Sequence, residues 1–191
     1  MTHKTMNTDE SLKLITDMVQ STRYNIAQDK IIYLMWGYAT SFAVLTHYLL
    51  QFQFNIKMAW LVWLLMPFVG VYNAIYFSKK KRSSRVKTFT DRALGAIWGS
   101  FIAALFIFLF ASPKIGWATI YPIFMVLYGI GTSSTGGIIK FKPLIYGGYL
   151  SMLIGLVAFY VPFEIQFPLL ALAILVSYVI PGHLLPKALN V

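Results

Sequence analysis

The chain has 191 residues, of which 58% are hydrophobic and only 12% are charged. About a quarter of the residues in soluble domains are charged, so this composition excludes an ordinary soluble globule and favours a protein that lies in lipid. Cysteine is absent, which excludes disulfides, thiolate metal sites and cysteine nucleophiles. The net charge of +10 is concentrated in short segments between apolar blocks, which is typical of membrane topology and not of nucleic-acid binding.

The first predicted element is a cytoplasmic amphipathic helix within residues 1–30, which we treat as a separate domain. Apolar residues recur there at spacings of three and four from Leu12 to Ile26. Asn7 can cap this helix, with Glu10 three residues later. Three roles stay open for it: packing on its own membrane domain, lying in the lipid interface, or binding a partner. Its balanced charge weakens the interfacial alternative.

Residues 31–191 form the second predicted domain, with six apolar segments close to the ~20 residues that a helix needs to cross the hydrocarbon core. The predicted spans are residues 31–51, 58–77, 93–111, 117–139, 144–160 and 169–185. Proline interrupts every even-numbered span. We therefore predict an all-α integral membrane protein whose six transmembrane helices form three hairpins after the cytoplasmic helix. Whether the hairpins are true repeats stays open.

Lysine and arginine are distributed unequally between the two sides of the predicted membrane domain. Only Lys57 and Lys114 fall on the side opposite the N-terminus, so the positive-inside rule predicts a multi-pass protein with both termini in the cytoplasm. The loop between spans two and three carries a basic run, formed by Lys79, Lys80, Lys81, Arg82, Arg85 and Lys87. We expect it to contact anionic lipid headgroups or an acidic partner protein. Nucleic acid is not an expected partner, because the loop is short and has no folded reading module.

The fourth and fifth spans are dense in glycine and hydroxyl residues. Small residues recur every four positions from Gly129 to Gly137, and the third span has a comparable face of Gly95, Gly99 and Ala103. Helices in lipid associate through close approach of such faces, so packing is the leading interpretation. The alternative is a polar pocket, because loosened helices in transporters bind ions. The residues assigned to packing or pocket are Gly129, Gly131, Thr132, Ser133, Thr135, Gly136, Gly137, Gly148 and Ser151.

Residues that could carry chemistry are sparse in the predicted spans. No charged residue lies deep in them, which disfavours a proton-coupled pump. His47 and His183 fall near opposite membrane faces, too far apart to share a metal or haem, so we expect packing or interfacial roles. No nucleophile with its base and no phosphate-binding loop is apparent. We therefore expect a non-enzymatic protein with no catalytic residue, metal or cofactor.

Several local motifs together resemble those of a known group of proteins. They are residues 127–137, the Lys-Phe-Lys-Pro turn at 140–143, the glycine pair at 147–148, the Trp-Gly pair at 36–37, and residues 177–183. This set resembles a family of small six-helix inner-membrane proteins of Bacteroidetes-type bacteria. The resemblance spans nearly the whole chain. It implies a bacterial inner-membrane location and carries no activity.

Two classes of function follow from these expectations. The first is an accessory, sensory or assembly subunit that acts through helix packing with a second copy or another membrane protein. The second is a small-solute channel or transporter with its site at spans four and five. A polar cavity reaching residues 132–135 would favour transport, whereas hydroxyls bonded within their own helix across a dry interface would favour packing.

Overall fold

The computed structural model describes residues 12, 16, 30–83 and 89–185, and this part of the chain is helical with no strand. The helices are α1 (Lys30–Tyr48), α2 (Leu65–Ser83), α3 (Phe89–Ile115), α4 (Trp117–Ile138), α5 (Lys142–Ala158), α6 (Phe163–Ile174) and α7 (Ile180–Leu184). Three short helical segments of other types adjoin them. Leu49–Gln53 after α1 and Leu175–Val179 between α6 and α7 are π-helical, and Ala59–Leu64 before α2 is a 3₁₀ helix. The predicted amphipathic helix of residues 1–30, apart from residues 12, 16 and 30, lies outside the described residues, as do Arg85 and Lys87 of the basic run.

Three of the described helices are long and apolar enough to cross a membrane. They are Ala59–Tyr76, Thr90–Ile115 and Phe163–Leu184. Lys142–Ala158 is apolar but shorter, with 17 residues. The 22-residue α4 is not among the three, since its glycines and hydroxyl residues lower its hydropathy. The all-α prediction is confirmed for the described chain, while the number of six spans and their arrangement in hairpins stay predictions.

Helix boundaries differ from the predicted spans at two prolines. The third helix continues past Pro113 to Ile115, and the chain turns only at Gly116, whose φ is +77°. The sixth segment begins at Phe163, where residues 161–168, between the fifth and sixth predicted spans, were expected to form a turn. Pro162 caps this helix and Pro168 lies inside it. Pro162 precedes the first turn, where a backbone N–H has no partner within the helix, whereas Pro113 and Pro168 lie inside their helices and each leaves the carbonyl four residues back without its helical donor.

The core is built around α6, which packs against α1, α4 and α5. At its centre the fully buried ring of Phe167 is surrounded by edge-on aromatic rings at centroid distances of 4.9 to 5.4 Å. These rings belong to His47, Phe52, Tyr121 and Phe163. Edge-to-face geometry is the favoured arrangement of aromatic pairs, so the cluster holds four segments of chain together.

Helices α2 and α3 are peripheral. The most apolar stretch of α3 has none of its residues buried, and Phe110 on this helix is 82% exposed. The apolar stretch Ala59–Tyr76, which includes the first part of α2, has 11% of its residues buried. In water such faces would be aggregation sites, whereas lipid solvates them at no cost, which agrees with the composition of the chain.

The turn between α4 and α5 is closed by two backbone hydrogen bonds. The N–H of Phe141 donates to the carbonyl of Gly136 at 2.9 Å, and that of Lys140 donates to Gly137 at 3.3 Å. Lys140 itself has a φ of +53°. This pattern is a Schellman motif, in which the first residue past the helix adopts the left-handed conformation that glycine favours. Lysine therefore occupies a position that strains its backbone.

Lys140→Gly is expected to stabilise the fold by about 1 kcal/mol, because glycine adopts positive φ without the steric penalty of a Cβ atom. Thermal unfolding in detergent should show a Tm raised by about 2–4 °C. The matched control is Lys142→Gly, which removes the same charge from the first turn of α5 and should not raise the Tm. A lower Tm for Lys140→Gly would contradict the strained geometry.

Candidate functional site

α4 and α5 make the most extensive contact of any two helices described. A Cβ atom placed on Gly148 would lie 2.5 Å from the backbone nitrogen of Ser133 and 2.6 Å from the carbonyl oxygen of Gly129. These neighbours are backbone atoms that cannot rotate away. The two helices therefore touch main chain to main chain, which only glycine permits at this point.

The same interface extends to both ends of the helices. A Cβ atom on Gly136 would lie 2.7 Å from the backbone nitrogen of Ile145, and one on Gly155 would lie 3.0 Å from the carbonyl oxygen of Pro122. Contacts that run from the end of α4 to the start of α5, and back, make the pair antiparallel. Between them Ser151 donates a 2.9 Å hydrogen bond to the carbonyl of Met125, so the one buried α5 hydroxyl of this interface bridges the two helices.

The remaining candidate hydroxyls are bonded within α4. Thr132 donates to the carbonyl of Tyr128 at 2.8 Å, Thr135 donates to Gly131 at 2.7 Å, and the contact of Ser133 with Ile130 is longer, at 3.3 Å. Thr132 and Thr135 are buried. A hydroxyl that bonds the carbonyl three or four residues back in its own helix is satisfied without water or ligand.

Not every predicted small residue takes part in this interface. No atom lies within 4 Å of a Cβ atom built on Gly137, and Gly131 faces the indole of Trp98 on α3, with 3.4 Å to the nearest ring atom. The expected packing of the third span also differs, since Gly95 and Gly99 have nothing within 4 Å of such a Cβ atom. The face of α3 that meets α4 instead carries aromatic rings, which hold those glycines away.

Gly147 is a packing residue that the sequence interpretation missed as part of the site. A Cβ atom there would collide with the carbonyl oxygen of Val176, in the π-helical segment after α6. Because consecutive helical residues point about 100° apart, Gly147 can face α6 while Gly148 faces α4. The signal in the sequence is the glycine pair. One glycine lets one neighbouring helix approach closely, and two adjacent glycines let α5 pack tightly against two helices.

Gln166 is the second feature that the sequence interpretation missed, because it was expected in a turn. It is 2% exposed and its Nε2 donates to the carbonyls of Ala118 at 2.9 Å and Ala158 at 3.0 Å. Ala118 lies four residues before Pro122, which has no N–H to give it. Ala158 ends α5 and its carbonyl has no donor within that helix. One amide therefore satisfies two carbonyls on two helices, while its own Oε1 has no partner among the described residues.

The two histidines lie at opposite ends of α1 and have separate roles. His47 is buried and accepts a 2.8 Å hydrogen bond at Nδ1 from the indole N–H of Trp63. His183 forms a 2.7 Å hydrogen bond through Nε2 with the hydroxyl of Tyr38. Its carbonyl accepts a hydrogen bond from Lys30, which ties α7 to the start of α1. Among the described residues no cluster of three or more histidine, aspartate or glutamate side chains could hold a metal ion.

One groove adjoins the glycine-rich part of α4. It lies between α3 and α4, is open on one side, and has a volume of about 400 Å³. We call it the α3/α4 groove; it is mostly apolar and reaches α4 at Gly131 and Ser134. Of the basic run, Lys79 is exposed near the end of α2. The candidate residues thus divide between a tight interface, an apolar groove and a basic end.

Comparisons of the chain with protein-family models, curated proteins and solved structures find no match. The resemblance noted from the sequence motifs therefore stays a prediction. What the fold and site define is a class: an all-helical chain, with helices long and apolar enough for a membrane, whose glycine-rich segment is a close helix–helix interface.

Proposed function

We propose that the chain is a non-enzymatic, multi-pass protein of the bacterial inner membrane that acts as an accessory, sensory or assembly subunit. Its six spans form three hairpins, and its function depends on helix packing with a second copy or another membrane protein. The observation that carries this proposal is the α4/α5 interface. Its hydroxyls are bonded to helix carbonyls and its glycines contact backbone atoms, which is the construction of a packed interface.

The proposed orientation is supported by where the basic residues lie. Residues at the start of α1, the end of α4 and beyond the end of α7 pack in one cluster, so those three termini share one end of the bundle. That end holds Lys30, Lys140 and Lys142, and the antiparallel contact of α3 with α4 adds Arg92. The other end has Lys57 and Lys114 in the described chain. The positive-inside rule then makes the first end cytoplasmic.

The count of six spans is supported by the surroundings of the three less apolar helices. α4 and α5 make their main contacts with each other, with α6 and, for α4, with α3, while α1 packs mainly against α6 and the segment that follows it. Small and hydroxyl residues on them are covered by protein and do not need to match lipid. A lower hydropathy is therefore compatible with crossing the membrane in the interior of the bundle.

Replacing both buried threonines of α4 by valine separates the two classes of function. Thr132→Val with Thr135→Val keeps the side-chain shape and removes only hydroxyls that bond their own helix. Since such bonds contribute little to helix stability, we expect the free energy of unfolding to change by less than about 1 kcal/mol, and partner association to persist. The measurement is thermal unfolding together with complex retention in mild detergent.

The competing class, a small-solute channel or transporter with a site at α4 and α5, predicts otherwise. Hydroxyls that line a path would change solute flux in proteoliposomes when replaced by valine, with folding preserved. A purified monomer that moves solute would overturn our proposal. Extraction in native lipid followed by mass spectrometry of the bound components would identify the partner or second copy that the proposal requires.

A further inference from the structure

The α3/α4 groove is a feature that the packing function leaves unused. Its walls come from successive turns of both helices: Ala96, Ser100 and Ala104 on α3, and Leu127, Gly131 and Ser134 on α4. Ile97 and Phe101 of α3 and Ile130 of α4 also line it, and the small Ala96, Ser100 and Ala104 leave space between these larger side chains. The result is a cavity of about 400 Å³ on a helix whose apolar stretch is otherwise uncovered.

The length of the groove along α3, and its distance from Arg92, correspond to one lipid leaflet. Arg92 lies one turn before Ala96 on the same face of α3, and Ala104 lies three turns beyond Arg92. At 1.5 Å per residue the groove covers a zone about 6–18 Å from Arg92 along the helix. Half of the hydrocarbon core is about 15 Å thick, so an occupant would follow a single leaflet inward from Arg92.

The charge of the groove is confined to its mouth. Arg92 is exposed and precedes the groove on α3, and because helical side chains tilt toward the N-terminus we expect its guanidinium to lie on the headgroup side of the apolar walls. Arginine binds phosphate oxygens through paired hydrogen bonds. An occupant that complements the whole site is therefore apolar along about 12 Å and carries a phosphate at one end.

The basic residue at one end favours a lipid over a partner helix, because a phospholipid combines a phosphate with an apolar chain in one molecule. We propose that the α3/α4 groove binds one acyl chain of an anionic glycerophospholipid of the cytoplasmic leaflet, with the lipid phosphate held by Arg92. The inference rests on the proposed membrane location and orientation.

The test uses the full chain in vesicles of phosphatidylcholine to which a brominated lipid is added. The brominated acyl chains belong either to phosphatidylglycerol or to phosphatidylcholine. The indole of Trp98 lies against Gly131, a groove residue, so bromine in the groove should quench its fluorescence. Subtracting the signal of Trp98→Phe isolates this residue. We expect brominated phosphatidylglycerol to quench at about fivefold lower mole fraction than brominated phosphatidylcholine, the effect of one basic contact.

Two pairs of variants locate the site. Arg92→Gln should abolish the preference for phosphatidylglycerol, whereas Lys79→Gln, which removes an exposed charge from α2, should keep it. Ala104→Phe should fill the groove and remove the quenching, whereas Ala103→Phe, on the exposed neighbouring position, should not. Arg92 is exposed, so its variant stays informative even where Ala104→Phe fails to fold.

Quenching of Trp98 that is equal for both lipids, or that survives Arg92→Gln with its preference intact, would overturn the inference while leaving the membrane protein in place. Failure of the chain to float with vesicles in a density gradient would instead remove the proposed function itself. Quenching that persists in a folded Ala104→Phe variant would show that the lipid lies outside the groove and would also overturn the inference.

Discussion

Gly148→Ala is expected to destabilise the fold by about 3 kcal/mol, and to lower the Tm in detergent by about 6–12 °C. The added methyl group would lie 2.5 Å from the backbone nitrogen of Ser133 and 2.6 Å from the carbonyl oxygen of Gly129. An ordinary contact needs at least 3.4 Å, so α4 and α5 would have to move apart by almost 1 Å. That shift loses dispersion contacts along the whole interface, because attraction falls steeply with distance and lipid offers no hydrophobic effect to restore it.

Glycines of α4, the helix against which Gly148 packs, supply graded controls for this result. Gly137→Ala adds the same methyl group at an open position, and should stabilise the helix by up to ~1 kcal/mol through its higher helix propensity. Gly131→Ala meets the ring of Trp98 at 3.4 Å and should be close to neutral. The measurement is thermal unfolding followed by circular dichroism. A Gly148→Ala variant with the same Tm as the Gly137→Ala variant would show that α4 and α5 are not in backbone contact.

The glycine-rich pattern predicted packing at α4 and α5, which make the most extensive contact described, but it does not show which glycines lie in that contact. Counting every fourth residue from Gly129 leads to Ser133 and Gly137. Each step of four advances 40° beyond a full turn, so Gly137 has drifted about 80° from the starting face, while Gly136, seven residues on, is within about 20° of it. The structure has Gly136 against α5 and Gly137 in the open.

Periodicity shows which residues share a helix face, but not which neighbour that face meets in the fold. Gly95 and Gly99 have the same spacing as a packed pair, yet nothing approaches them, because Trp98 and Phe101 of α3 meet the rings of α4 and of the segment after α6 first. Gln166 shows the converse. Its neighbourhood reads as a polar turn rich in proline, and only the fold brings the carbonyls of two other helices to its amide.

Gln166→Leu is expected to destabilise the fold by about 3 kcal/mol, as much as Gly148→Ala. Leucine is similar in size, so little packing is lost, but the carbonyls of Ala118 and Ala158 both lose a donor. The bond to Ala158 is buried and that to Ala118 is partly buried, and a buried carbonyl left unsatisfied costs about 1–3 kcal/mol. The measurement is unfolding in mixed micelles. The exposed Gln53 gives the matched control, since Gln53→Leu should be nearly neutral.

Pro122 gives the means to separate the two hydrogen bonds. Pro122→Ala restores a backbone N–H four residues after Ala118, so that carbonyl regains a partner inside its own helix. In the double variant Gln166→Leu should then cost less than it does in the native chain, by about 1 kcal/mol, and this coupling is the quantity that a double-mutant cycle measures. Strict additivity of the two substitutions would mean that the hydrogen bond from Gln166 to Ala118 does not compensate for Pro122. Positive coupling would show that a side chain of α6 compensates for the proline in α4, so that the break in one helix and the glutamine in another act as a single structural unit.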